Sequence, residues 1–164
     1  MAAAFAILAA LLAVVLWRVA HAYLTFRGTR IVACPDSGSP AVVEVAVGRV
    51  AVTAAFRKPV LRLRDCSRLP GVAFCDQACL KRIAAAPRES LPVVILASWY
   101  RDKACSCCGA PLKPITRWSR KPCLMSPDLQ LLEWRAIQPQ DLLRVLATHT
   151  PVCWTCLVSE THIS

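Results

Sequence analysis

The N-terminal segment constrains the fold most, because it is too apolar to stay in water unless something covers it. Residues 1–17, MAAAFAILAALLAVVLW, are apolar without a break. At 1.5 Å per helical residue this run is about 26 Å long, close to a hydrocarbon core of about 30 Å, and the long side chain of Arg18 can reach the headgroups. The sequence therefore predicts a transmembrane anchor over residues 1–26 and a body over residues 27–164.

The charges around this segment indicate its orientation. Before the apolar run the only positive charge is the α-amino group, whereas Arg18, Arg27 and Arg30 follow it. By the positive-inside rule, this asymmetry predicts a single-pass protein of the cell inner membrane with its C-terminal body in the cytoplasm. The alternatives are an anchor of opposite orientation and a cleaved secretory signal. Ala20-His21-Ala22 would suit cleavage, although the chain lacks the basic n-region of such a signal.

The chain contains ten cysteines in 164 residues, and their role depends on the compartment. Disulfides rarely persist in a reducing cytoplasm, where clustered cysteines act as metal ligands or reactive thiols. In an exported body the same cysteines would form up to five disulfides. The predicted cytoplasmic location therefore favours metal binding.

Two C-x-x-C pairs form the clearest candidate metal site. The first pair is Cys105 and Cys108, and the second is Cys153 and Cys156. Four thiolates from two such pairs are a common tetrahedral ligand set for structural Zn²⁺. Gly109, directly after the first pair, has the backbone freedom that a tight cysteine knuckle requires. The sequence predicts one Zn²⁺ ion bound by these four thiolates.

Four earlier cysteines form a candidate second site with irregular spacing. Cys34 opens the turn-rich segment CPDSGSP, and Cys66 ends a strand-like segment. Cys75 and Cys79 are four residues apart, which would place them on one face of a helical turn. We expect these four residues either to bind a second metal ion, to pack as core thiols, or, in an exported body, to form a disulfide pair.

The remaining cysteines and two histidines fit neither set. Cys107 and Cys123 are expected to be buried or spare thiols. His149 and His162 flank the last C-x-x-C pair, where a surface or helix-capping role is favoured over metal binding.

Other cysteine chemistries match the spacing less well. Four thiolates can also hold an iron–sulfur cluster, but the compact spacing of ferredoxins is absent. A thioredoxin-like dithiol is the main rival, since CWTCLVSE can begin a helix, although the surrounding βαβ pattern is not apparent. The chain has no Walker-type phosphate loop or G-x-G-x-x-G motif. The body is therefore predicted not to be an enzyme, with thiol redox chemistry as the exception considered.

Basic residues cluster in the same part of the chain as the cysteines. Residues 57–121 contain fourteen Lys or Arg and four Asp or Glu. Part of this excess would offset the negative charge of metal-bound thiolates, and the rest would attract anionic lipid headgroups. Nucleic-acid binding is disfavoured, because the basic residues are not interleaved with stacking aromatic residues. The expected partners are the membrane and a protein that the sequence does not identify.

The body is predicted to be a single α+β, zinc-ribbon-like body with short antiparallel strands and a few helices. Strands are expected over residues 31–33, 41–47, 60–64, 112–118, 123–125 and 129–137, and helices over 76–86, 93–101 and from Pro139 onward. Residues 49–56 are compatible with either a strand or a helix.

The layout of the chain resembles that of bacterial single-span proteins of unknown role that pair an N-terminal anchor with a cysteine-rich body. The residues that carry this resemblance are Cys34-Pro35, Cys66, Cys75, Cys79, Cys105, Cys108, Cys153 and Cys156. The resemblance implies zinc-ribbon-like metal binding, and it implies neither a substrate nor a reaction. We therefore expect a membrane-anchored structural zinc protein acting as an interaction or assembly module, with a thiol redox or metal-handling protein as the alternative.

Overall fold

A computed structural model of the chain describes residues 2–68, 75–115 and 123–161. These residues form helices and antiparallel sheets, so the predicted α+β class is confirmed. The chain divides into two compact units, residues 1–91 and residues 92–164. The behaviour of residues 27–164 as one body stays a prediction.

The first unit begins with the apolar helix α1, Ala2–Phe26. Residues 2–14 are all exposed, whereas Ala22 and Phe26 are buried in the core of the unit. At 25 residues the helix is about 37 Å long, enough to cross a membrane by length and composition. A signal sequence passes the same test, so the apolar helix is confirmed while its insertion and orientation stay predictions.

A three-stranded antiparallel sheet follows, in the order β1-β2-β3, with β1 at Arg30–Ala33, β2 at Pro40–Val45 and β3 at Leu63–Cys66. Strand β2 shows the period-two pattern of a half-buried strand. Its residues Ala41, Val43 and Val45 are buried, while the intervening residues are only partly so. The chain then turns into α2, Val47–Phe56, which packs on α1 and buries Val50. Residues 49–56 are therefore helical.

Arg30 connects three segments of the first unit. Its guanidinium donates hydrogen bonds to the carbonyl oxygens of Thr25 (2.6 Å) and Pro87 and to the hydroxyl of Ser90 (3.1 Å). The side chain is fully buried. Arg30, counted among the positive charges after the apolar run, is therefore buried within the first unit and does not lie on its surface.

The end of the sheet and the start of α3, Cys79–Ala85, differ from the sequence predictions. The third strand was predicted over residues 60–64 but lies at Leu63–Cys66. These four residues form the strand because β2 pairs with that segment. The helix predicted over 76–86 begins only at Cys79. The N–H of Ala78 donates to the carboxylate of Asp76 (2.9 Å), and Gln77 has φ +59°, so the chain turns before the helix starts.

Besides a 3₁₀ turn, the described residues of the second unit form three helices and three strands around a small core. They are α4 (Pro92–Tyr100), β4 (Cys123–Met125), β5 (Leu131–Leu132), α5 (Leu142–Thr148), β6 (Thr150–Val152) and α6 (Trp154–Thr161). The strands form an antiparallel sheet in the order β5-β4-β6. Leu96, Leu124 and Val152 are fully buried and form part of the core.

Three predictions for this unit are corrected by the structure. The strand predicted over 129–137 is present only as β5, Leu131–Leu132. Leu129 has φ +62° and Trp134–Ala136 form a 3₁₀ turn, so neither flank is extended. The described part of the strand predicted over 112–118, residues 112–115, contains no strand, and residues 116–118 lie outside the described residues. The helix expected from Pro139 begins at Leu142, after a turn.

Candidate metal centre

The first C-x-x-C pair lies on a tight loop between residues 103 and 112. The N–H of Cys105 donates to the carbonyl of Ala110, and the N–H of Gly109 donates back to the carbonyl of Cys105, both at 2.9 Å. Gly109 has φ +70°, a conformation that glycine adopts without the penalty that other residues pay. This loop is the knuckle that the sequence predicted, and it directs Cys105 inward while Cys108 stays exposed.

The second pair lies at the start of a helix and is not a second knuckle. Cys153 follows β6 directly, and its carbonyl accepts the N–H of Leu157 in the first turn of α6 (3.2 Å). Cys156 lies within that same turn. The spacing of a C-x-x-C pair suits both a knuckle and a helical turn, so the sequence did not distinguish them.

A backbone hydrogen bond joins the knuckle to strand β6, which directly precedes the second pair. The N–H of Ser106 donates to the carbonyl of Pro151 in β6 (2.9 Å). Strand β6 also pairs with β4, where Cys123 lies opposite Val152. Sequence reasoning missed the contribution of Ser106, because a main-chain hydrogen bond leaves no signature in the residue type.

Together these elements place four sulfurs close to one another. The Sγ atoms of Cys105, Cys108, Cys153 and Cys156 all lie within 4.8 Å of each other. The Cys105–Cys156 distance is 3.9 Å and the Cys108–Cys153 distance is 3.8 Å. Four sulfurs bound to zinc at about 2.3 Å in a tetrahedron are separated by about 3.8 Å, whereas a disulfide measures about 2.05 Å. The group can therefore hold a metal ion.

Hydrogen bonds to the sulfurs favour the ionised form of one thiol. Cys105 is buried, and burial alone would raise its pKa. Backbone N–H groups of Cys153, Cys108 and Cys107 more than offset this and lower the pKa to about 6. The pKa of Cys156 is raised, because its thiol hydrogen-bonds to the side chains of Cys153 and Cys108. Four thiolates at this spacing repel each other unless a cation lies among them.

The four earlier cysteines meet at a different place, in the first unit. Cys34, Cys66, Cys75 and Cys79 all line one cavity of about 20 Å³. Among the described residues, the group at Cys105 is the one whose sulfurs already lie close enough together to hold a metal ion, and these four cysteines do not form such a group. Cys75 and Cys79 do not share a helical turn, since α3 begins at Cys79. The structure thus gathers the residues of the predicted second site around a cavity, but in an open arrangement.

The other candidate ligands whose positions are described do not belong to the four-sulfur group. Cys123 is buried, and its pKa is raised to about 11 by burial and by the negative charge of Glu133. Cys107 is exposed on the knuckle. His149 follows the last residue of α5, the capping position, where its Nδ1 lies 2.9 Å from the hydroxyl of Thr148. His162 lies outside the described residues.

No protein-family model, curated protein or solved structure matches this chain. The arrangement of the cysteines is therefore the main observation from which a function can be argued.

Proposed function

We propose that this chain is a membrane-anchored structural zinc protein whose body faces the cytoplasm and serves as an interaction or assembly module. The observation that carries the proposal is the group of four sulfurs within 4.8 Å, contributed by Cys105, Cys108, Cys153 and Cys156. Two of its distances, 3.8 and 3.9 Å, match the edge of a zinc–thiolate tetrahedron.

The ligand set favours a structural role for the metal. Four thiolates fill the tetrahedral positions of Zn²⁺ and leave none for a water molecule or a substrate. The ion would join the loop after α4 to the β6–α6 junction, segments 45 residues apart at Cys108 and Cys153. A unit of this size has a small hydrophobic core, so metal binding would supply much of its folding free energy.

The anchor is supported by the exposed part of α1. The side chains of Phe5, Leu8 and Leu12 are each more than half exposed, which is costly in water and favourable in lipid. Arg18 and Arg27, exposed at the end of this apolar segment, favour a cytoplasmic body. A closed thiolate site carries no substrate of its own, so the function of the body would depend on the surface that the metal holds in shape.

The test is a metal and thiol analysis of the full-length protein, purified in detergent under reducing conditions. We expect at least one equivalent of zinc per chain, with Cys105, Cys108, Cys153 and Cys156 protected from alkylation until the zinc is removed. If the analysis found iron together with visible absorption, the site would hold an iron–sulfur cluster and not zinc. A metal-free protein with all four of these thiols reactive would refute the proposal.

A thiol–disulfide redox protein is the second candidate, and the position of Cys153 and Cys156 at the start of α6 favours it. A helix N-terminus stabilises a thiolate, as a reactive dithiol requires. In that case Cys105 and Cys108 would be dispensable for folding, and Cys156→Ser would give a folded protein that has lost disulfide-exchange activity. The zinc proposal instead requires all four cysteines for one property, metal retention.

A further inference from the structure

The loop at Cys34 repeats the backbone geometry of the knuckle at Cys105. The N–H of Cys34 donates to the carbonyl of Ser39 (2.9 Å), and the N–H of Gly38 donates to the carbonyl of Cys34 (2.8 Å). The corresponding bonds at Cys105 join the same relative positions, at 2.9 Å each. Gly38 has φ +67° and Gly109 has φ +70°, so the glycine also occupies the same position and conformation in both loops.

The resemblance extends to the sulfur atom. In both loops the backbone N–H groups of the second and third residues after the cysteine donate to its sulfur; at Cys34 these residues are Asp36 and Ser37. Hydrogen bonds of this kind stabilise a thiolate, the form that binds metal. The Cys34 loop differs in having Ser37 where the other knuckle has its second ligand, Cys108. It is therefore a knuckle with one ligand, and three more must come from elsewhere.

Three further cysteines are present around the same cavity. Cys66 ends β3, Cys75 precedes α3, and Cys79 begins α3. Together with Cys34, these three residues line one cavity, so the four thiols face a common space. The cavity that they line, about 20 Å³, has room for about one water-sized occupant.

We propose that Cys34, Cys66, Cys75 and Cys79 bind a second Zn²⁺ ion, in the first unit, independent of the ion at Cys105. Their sulfurs must come closer together than they are. Rotation of one cysteine about χ1 between staggered positions moves its sulfur by about 3 Å, so side-chain rotation can draw the ligands inward without moving the backbone.

Packing alone does not account for this arrangement. A buried cysteine that serves as a small hydrophobe needs neither a knuckle of main-chain donors nor a cavity shared with three other thiols. Arg68 also lines the cavity, together with the acidic residues Asp36 and Asp76, so the lining side chains supply no net positive charge. The bound ion would join the β1–β2 loop, the end of β3 and the start of α3.

The test uses full-length protein in detergent, loaded with Zn²⁺ under reducing conditions. We expect two equivalents of zinc in the wild type, one in Cys79→Ser and one in Cys153→Ser. Cys123→Ser, which changes a buried cysteine outside both groups, should keep two. A wild type with one equivalent, unchanged by Cys79→Ser and lost in Cys153→Ser, would overturn this proposal and leave the first site intact.

A measurement on the wild type covers the case in which Cys79→Ser fails to fold. Alkylation followed by mass spectrometry should show Cys34, Cys66, Cys75 and Cys79 protected in the zinc-loaded protein and labelled after chelation. Equal labelling with and without zinc would refute the second site. So would a disulfide between any two of these four residues in protein prepared from its native compartment, since a disulfide consumes the thiolates that the metal needs.

Discussion

Replacing Cys108 by serine should weaken zinc binding strongly, whereas the same replacement at Cys107 should not. The two residues are neighbours on one knuckle and both are exposed, but only the sulfur of Cys108 belongs to the four-sulfur group. Structural zinc sites bind with about 10–16 kcal/mol, or roughly 2.5–4 kcal/mol for each of four thiolates. At 1.4 kcal/mol per tenfold change, Cys108→Ser should lower the zinc affinity by about 60- to 700-fold.

The stability of the second unit should fall with the affinity. Its core is small, and a small domain has only about 5–15 kcal/mol of stability in total. A loss of about 3 kcal/mol in a domain of this size lowers the melting temperature by about 12–24 °C. Residues 92–164 should therefore unfold well below the wild-type temperature when zinc is limiting.

Hydrogen exchange of the full-length protein at fixed free zinc would measure this effect. Peptides covering β4, β6 and α6 should lose protection in Cys108→Ser and keep it in Cys107→Ser, while a competition titration gives the zinc affinity of each variant. The reasoning would be refuted by equal effects of the two substitutions, or by a Cys108→Ser protein that keeps both its zinc affinity and its protection.

Four other predictions test separate features. Gly109→Ala places a side chain at φ +70° with nothing within 4 Å of the new Cβ, so backbone strain of about 1–2 kcal/mol should weaken zinc binding by about 5- to 30-fold in a competition titration. Cys123, with its pKa raised to about 11, should be alkylated at pH 8 at least about 200-fold more slowly than a free cysteine, as followed by mass spectrometry. Ser37→Cys should restore a second zinc equivalent to Cys75→Ser, because it completes the first-unit knuckle; elemental analysis would show no gain if the loop does not face a metal. A reporter that works only in the cytoplasm should be active when fused after Ser164. Activity of a reporter that works only in the periplasm would show the opposite orientation.

Local sequence features predicted the elements that depend on neighbouring residues. The apolar run became α1, and Pro92 opened α4 within one residue of the predicted start. The strand predicted over 41–47 became β2 at Pro40–Val45, although Val47 already begins α2. Ser126-Pro127-Asp128 has the residue types of a turn, and the N–H of Leu129 donates to the Ser126 carbonyl at 3.0 Å. In each of these cases periodicity or turn chemistry is enough to specify the backbone.

Elements that depend on distant partners were predicted less well. Residues 60–64 and 129–137 are rich in strand-forming residues, yet the strands lie at Leu63–Cys66 and Leu131–Leu132. Strand limits follow from pairing with β2 and β4, and the sequence does not contain that register explicitly. The early start predicted for α3 failed for a related reason. Gln77, at φ +59°, accepts the N–H of Leu63 (3.1 Å), a contact 14 residues away.

For the cysteines, too, some features follow from the local sequence and others only from the tertiary structure. The sequence alone determined that two C-x-x-C pairs exist and that glycine follows the first, since these are properties of spacing and residue type. Only the tertiary structure decided that the first pair is a knuckle, that the second begins a helix, and that the β4–β6 pairing and the Ser106–Pro151 hydrogen bond bring the sulfurs within 4.8 Å. A metal site requires ligand atoms at a fixed spacing. Cys108 and Cys153 are 45 positions apart, so their sulfurs reach that spacing only when the chain between them has folded.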